Sequence, residues 1–234
     1  MADARELIAE TRAQLKAVED KLFAHPYLSA VEEGRITKEK LRLFAGEQYY
    51  IINSDLRSVA LLVSRQGHGP NREFFLGALQ GEAAAGDALL AFARALEMSE
   101  DDLRAYEPMP GCQAYPAYVA WLAVYGSAAD FAAAFLVNLP AWGSSCARMS
   151  AALKGKHGLS SEAVAFFDLF AAPATEFEAA TKVMDAETLD LSDSMQTDLH
   201  EAAKLFGADA QIVGISSMDA VEGMTNLLKA GQSV

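Results

Sequence analysis

The chain is poor in the residues that build metal and redox sites. Two cysteines and four histidines stand among 234 residues. Cys112 and Cys146 form no CxxC pair and no zinc-finger spacing, so a reduced, cytoplasmic setting is the simplest reading. Cationic residues are also scarce: 19 Lys and Arg face 32 Asp and Glu, a formal charge of -13. An anionic surface repels phosphate backbones, and no nucleic-acid partner is expected. The scattered cations Arg35, Lys38, Lys40 and Arg42 read as a solvated face near a helix start. No apolar run is long enough to cross a bilayer. The charged, amphipathic residues 1–22 lack the apolar core of a signal peptide, so no membrane partner is expected either. Alternating patterns bounded by tight hairpin turns are missing, which argues against a β fold.

What is present is apolar helix. Hydrophobic residues make up 52% of the chain, enough for a sizeable core without metals or disulfides. The organising stretch runs from Leu41 to Val63. On a 3.6-residue period one face collects Leu41, Phe44, Gln48, Ile51, Ile52, Asp55, Val59 and Leu62. Gln48 and Asp55 interrupt that stripe at its middle. Buried polar groups are costly unless hydrogen-bonded, so they have structural partners or serve a pocket. A second stripe, between Asn71 and Leu96, holds one carboxylate, Glu82, among Phe75, Leu79, Gly86, Leu89, Leu90, Ala93 and Leu96.

The remaining segments are also helical. Residues 3–23 form the first helix, and His25-Pro26 breaks it. Thr37 is an N-cap for the long helix, and Ser99 begins a short one reaching Tyr106. A Pro/Gly loop around Pro110 precedes a helix over residues 115–125, with Pro116 in its first turn. Residues 128–153 form a helix kinked at Pro140, followed by a basic loop over residues 154–159. Residues 162–184 form another helix, kinked at Pro173, and residues 193–228 form one or two more. One all-α domain over residues 1–234 is expected.

Three motifs in this order resemble the TenA/thiaminase II family on the heme-oxygenase-like fold: HPYLSAVEEGRITKEKLRLFAGEQYY (residues 25–50), ALEMSEDDLRAYEPMP (95–110) and FLVNLPAW (135–142). The resemblance spans about residues 25 to 215 and implies a heme-oxygenase-like helical bundle. It also implies pyrimidine hydrolysis by a Cys nucleophile, a catalytic Glu, a ring-holding Asp and several Tyr. Here the nucleophile position is Ala141, the catalytic Glu position falls on Ala210, the ring-holding Asp is Gln48, and a pocket Tyr is Phe170. Tyr118 is retained. Thiaminase chemistry is therefore not expected, and Cys146, turned well away from Ala141 on a regular helix, reads as a small buried residue.

Oxidases on the same fold would need His seven residues after Glu82, where Leu89 stands, and imidazoles where Phe170 and Phe177 stand. No metal and no cofactor is expected. In the family's arrangement Gln48, Glu82, Tyr118, Trp142 and Phe170 would face one cavity, with Glu47 and Tyr50 as adjacent candidates on a side they share more with each other than with Gln48. Aromatic walls with few polar groups suit a small, flat ligand. Three functions are open: binding of a small aromatic or heterocyclic metabolite, an altered enzymatic chemistry using Glu82 and Tyr118, or surface interaction alone. Whether the chain is an enzyme is left open. The resemblance also implies a homo-oligomer.

Overall fold

The computed structural model of the chain describes residues 4–69, 71–172 and 176–186. Within them run nine helices and no strand: α1 (Ala4–Phe23), α2 (Pro26–Glu32), α3 (Lys38–Gln66), α4 (Asn71–Ala95), α5 (Glu100–Arg104), α6 (Pro110–Tyr125), α7 (Ala128–His157), α8 (Ala165–Ala171) and α9 (Glu176–Ala186). The helix expected over residues 193–228, with Ala210 and His200, lies outside the described residues. None of the described helices is long and apolar enough to cross a membrane.

The helix starts follow local chemistry. His25 caps α2 by accepting from the Tyr27 amide, and Thr37 caps α3 by accepting from the Lys40 amide. Ser99 and Asp102, and again Ser127 and Asp130, form reciprocal capping boxes at the starts of α5 and α7.

Three boundaries differ from expectation. α6 begins at Pro110, five residues before the expected start, so Cys112 is helical and Pro116 lies inside the helix. Pro110 at the first position supplies the nucleus, since its missing N–H would have no helical partner there. Residues 154–157 are not a loop but the last turn of α7, which ends at Gly158 in the left-handed conformation (φ 68°). Lys154, Lys156 and His157 at that end suit the negative pole of the helix. The single helix expected over residues 162–184 is instead the separate pair α8 and α9; Ala172, ahead of Pro173, is extended, as a residue before proline tends to be.

α3 packs against α4 on one side and α6 on another, while α7 packs against α8, α9 and α2. Arg148 of α7 ties the first connection down. It donates to both Glu32 carboxylate oxygens (2.7 and 2.8 Å) and to the Phe23 carbonyl (2.7 Å).

The apolar core is divided in two along the long helices. One cluster joins Val59 and Leu62 of α3 to Phe74 and Phe75 of α4 and Phe131 and Leu136 of α7. The other joins Leu41 and Phe44 of α3 to Leu89 and Phe92 of α4, Met149 and Leu153 of α7, and Phe166 and Phe167 of α8. The stacked and edge-on rings of Phe44, Phe92, Phe166 and Phe167 fill the second cluster. Between the clusters, at mid-length of α3, α4 and α7, the sequence turns polar.

Candidate functional site between the two core clusters

The waist between the clusters carries Asp55 from α3, Glu82 from α4, and Ala141 and Ser145 from α7, while Gln48 lies two turns before Asp55, between Phe44 and Ile52 of the second cluster. Gln48, Asp55, Ala141 and Ser145 are buried, and Glu82 is half-buried. α3 reaches the waist because its 29 residues continue through both clusters without proline. Pro140 does not end α7, so Ala141 and Ser145 stay on one continuous helix.

Asp55 and Glu82 are the electrostatic centre. Burial holds the Asp55 carboxyl well above the usual carboxylate range; the neighbouring Glu82 charge pushes it further, while a hydrogen bond from the Tyr115 hydroxyl opposes both. Burial pushes Glu82 up to about 7. For Tyr115, burial and then the charges of Asp55 and Glu82 raise the phenol's proton affinity. Two carboxyls that share an apolar enclosure cannot both ionise cheaply, so their titrations separate. Asp55 Oδ1 and Ser145 Oγ are buried with no hydrogen-bond partner among the described residues. Native interiors leave few such atoms without protein, water or ligand.

The aromatic residues of the waist divide by helix. Trp142 and Phe170 meet edge to face, centroids 5.8 Å apart, at the α7–α8 contact. Gly143 lets them approach: a Cβ there would stand 2.6 Å from the Phe170 carbonyl oxygen. Tyr118 packs against the first cluster and stacks on Trp121 at 5.8 Å.

Glu47 belongs to a different group. It is fully buried, and so is Gln48 beside it, because α6 and the segment before it cover a second face of α3. Glu47 Oε1 accepts from the Tyr106 hydroxyl (2.5 Å) and the Met109 amide (3.1 Å), while Oε2 has no partner among the described residues. Tyr106 lies flat over Gly46, where a Cβ would sit 2.5 Å from the ring. Half-buried Tyr50 packs with Ile51 and Cys112 in a small cluster on this seam.

Both thiols are buried and unpaired. Burial, then Glu47, raises Cys112; burial alone raises Cys146. A thiol held protonated is a poor nucleophile. The described residues contain no group of three or more His, Cys, Asp or Glu able to hold a metal ion.

Sequence reasoning singled out Glu82 and Gln48 but assigned Asp55 to structural pairing and did not select Tyr115 or Ser145. Asp55 carried a signal, a charge within an apolar stripe. Tyr115 and Ser145 carried none, since tyrosine and serine occur freely on exposed helix faces.

No curated protein sequence matches the chain significantly. Solved structures do. A TenA homologue from Pyrococcus furiosus superposes with a TM-score of 0.70 at 18% identity, over 89% of this chain and 98% of that one. A TenA homologue from Pseudomonas syringae gives 0.74 at 12% identity, over 89% and 90%. A domain of unknown function with a heme oxygenase-like fold, from Shewanella denitrificans, gives 0.71 at 15%, over 96% of each chain. At these identities the likeness establishes the heme oxygenase-like fold. The family profile goes further: it matches residues 12–189, most of the chain, and the protein belongs to the TENA/THI-4/PQQC family.

Proposed function

We propose that this TenA-family protein binds a small, flat aromatic or heterocyclic metabolite at the waist between its core clusters, without thiol chemistry. One observation carries the reading: polar side chains from three helices interrupt the core at one level, and Asp55 Oδ1 and Ser145 Oγ lack partners among the described residues. Glu82 and Tyr115 support it. Burial raises the proton affinity of both groups, and both remain half-buried rather than sealed in the core. Gln48, Tyr118, Trp142 and Phe170 complete the proposed lining. Glu47 and Tyr50 act from the neighbouring α3–α6 seam. Ala141 cannot attack carbon, and the two protonated thiols offer no substitute. Two unpaired cysteines suit a reducing compartment, and we place the protein in the cytoplasm.

Thermal unfolding against a panel of pyrimidines, thiamine fragments and other aromatic metabolites tests this. At least one compound raises the midpoint of the wild type; no shift with any of them counts against the reading.

A second reading is favoured by one value. Glu82, pushed up to about 7, suits a general acid or base near neutral pH. A tyrosine hydroxyl, from Tyr115 or Tyr118, would assist it. If a compound from the panel is turned over by the wild type and Glu82→Gln abolishes turnover while binding persists, the enzyme reading replaces simple binding.

A further inference from the structure

α3 and α4 approach closely at Gly86, where a Cβ would stand 3.6 Å from Ile52 Cγ2. Asp55 follows Ile52 by one turn and Glu82 precedes Gly86 by one turn, so antiparallel packing brings the two carboxyls to one level. Tyr115 of α6 closes one side. Its ring packs beside Ile51 and Cys112, and its hydroxyl donates to Asp55. Asp55 Oδ1 is buried with no hydrogen-bond partner among the described residues, so the Tyr115 bond falls on Oδ2. On α7 the core clusters part between Val137 and Cys146, and Ser145 Oγ at that level is a second buried oxygen without a partner among the described residues.

These bonds fix the polarity of the waist. Glu82, Tyr115 and Cys112 are the titratable groups that act on Asp55, and none is a cation. Burial and the Glu82 charge keep the Asp55 carboxyl neutral. A carboxylic acid that accepts on one oxygen carries its proton on the other. Asp55 therefore presents Oδ1–H, a donor, and Glu82 beside it presents an acceptor when ionised. Oδ1 makes no bond to Glu82, so more than a hydrogen-bond length separates the two.

A donor beside an acceptor is matched by an edge that offers the reverse. A cyclic amide has that edge: its C=O and ring N–H stand on adjacent atoms and point the same way. We infer that the waist takes an uncharged heterocycle by such a lactam edge, the ring carbonyl accepting from Asp55 Oδ1 and the ring N–H donating to Glu82. This rests on the binding reading above and names the class of ligand. A carbonyl has two lone pairs, so Ser145 Oγ–H can share it. An amine or amidinium cation fits less well, because Asp55 would have to ionise and the cation leave water within a largely apolar enclosure.

Three flat bicyclic compounds separate the cases. 2-Quinolone carries the lactam edge, N-methyl-2-quinolone lacks the N–H, and naphthalene-2-carboxamidine is an amidinium cation. In calorimetric titration of the full chain at pH 7, 2-quinolone binds about tenfold or more tightly than either of the others, as a site built around paired hydrogen bonds requires. Equal affinity for the N-methyl compound, or tighter binding of the amidine, overturns the inference and leaves the binding reading standing. If none of the three binds, the inference falls, and the thermal panel alone decides the binding reading. Two variants give a second measurement. The amide of Asp55→Asn takes the Tyr115 bond on oxygen and turns N–H to the waist, copying the neutral acid, so 2-quinolone affinity stays within about threefold of wild type. Asp55→Leu removes the donor and weakens binding about tenfold or more while keeping its helical circular dichroism. Lost binding in Asp55→Asn, or retained binding in Asp55→Leu, overturns the inference. Should Asp55→Leu fail to fold, the three compounds on the wild type decide.

Discussion

Asp55 of α3, which is buried, and Glu82 of α4, which is half-buried, form an acid pair in which the charge of Glu82 helps keep Asp55 protonated. The pair sits where the two halves of the apolar core part, and it makes the waist sensitive to pH.

The sign of that sensitivity follows from Glu82. Its carboxyl moves from 4.5 to about 7 on folding, so the folded chain holds a proton that the unfolded chain has released. This favourable contribution is complete below about pH 4.5 and is lost as pH rises toward 7. Glu82→Gln removes the penalty of ionisation. At pH 8 the variant is more stable by about 3 kcal/mol, a rise of about 9 °C in the unfolding midpoint for a chain of this size. Below pH 4.5 the gain vanishes. Calorimetric scans of both proteins from pH 4 to pH 8 check this; an equal difference at both ends contradicts it.

The Tyr106 hydroxyl satisfies one oxygen of a fully buried carboxyl group, Glu47. Tyr106→Phe leaves that oxygen only the Met109 amide and costs about 1 kcal/mol, the net worth of one hydrogen bond. Gly46→Ala drives a methyl group into the Tyr106 ring, displaces it, and costs at least as much. Urea denaturation measures both. Because the two act on one contact, the double variant is less unstable than the separate losses would suggest.

Arg148 presents its planar fork to Glu32 and a third donor to the Phe23 carbonyl. Arg148→Lys keeps the charge and loses the fork. It is destabilised by about 1–2 kcal/mol, the range for charge-assisted hydrogen bonds at a partly exposed site, and added salt does little to close the gap with the wild type.

Cys112 and Cys146 are both fully buried, with thiols held protonated. The native protein should release almost no thiolate to a disulfide reagent at pH 8, and both thiols should react in denaturant. A fast-reacting thiol in the native state would reopen nucleophilic catalysis.

Much of this arrangement could be read from sequence because it rests on local chemistry. Thr37 and Ser99 announce helix starts through one hydrogen bond to the third residue beyond. Glu82 draws notice because a carboxylate breaks a 3.6-residue apolar stripe. The start of α6 was missed because Pro110 and Pro116 each fit a first helical turn, and only packing of α6 on α3 makes the earlier one the start. The end of α7 was missed because its last turn is basic and glycine-containing, a composition shared by loops and by helix ends beside a left-handed glycine. The burial of Glu47 and the partnership of Asp55 with Tyr115 both depend on α6 lying along a second face of α3. No periodicity within α3 can report where α6 will lie.

The most direct measurement is calorimetric titration, at pH 7, of the best-stabilising heterocycle into the wild type, Glu82→Gln and Tyr115→Phe. Binding at the waist predicts one site in the wild type with a negative heat-capacity change from apolar burial, and at least tenfold weaker binding in both variants. Equal affinity in all three proteins, or no heat of binding to the wild type, would contradict a ligand site at the waist.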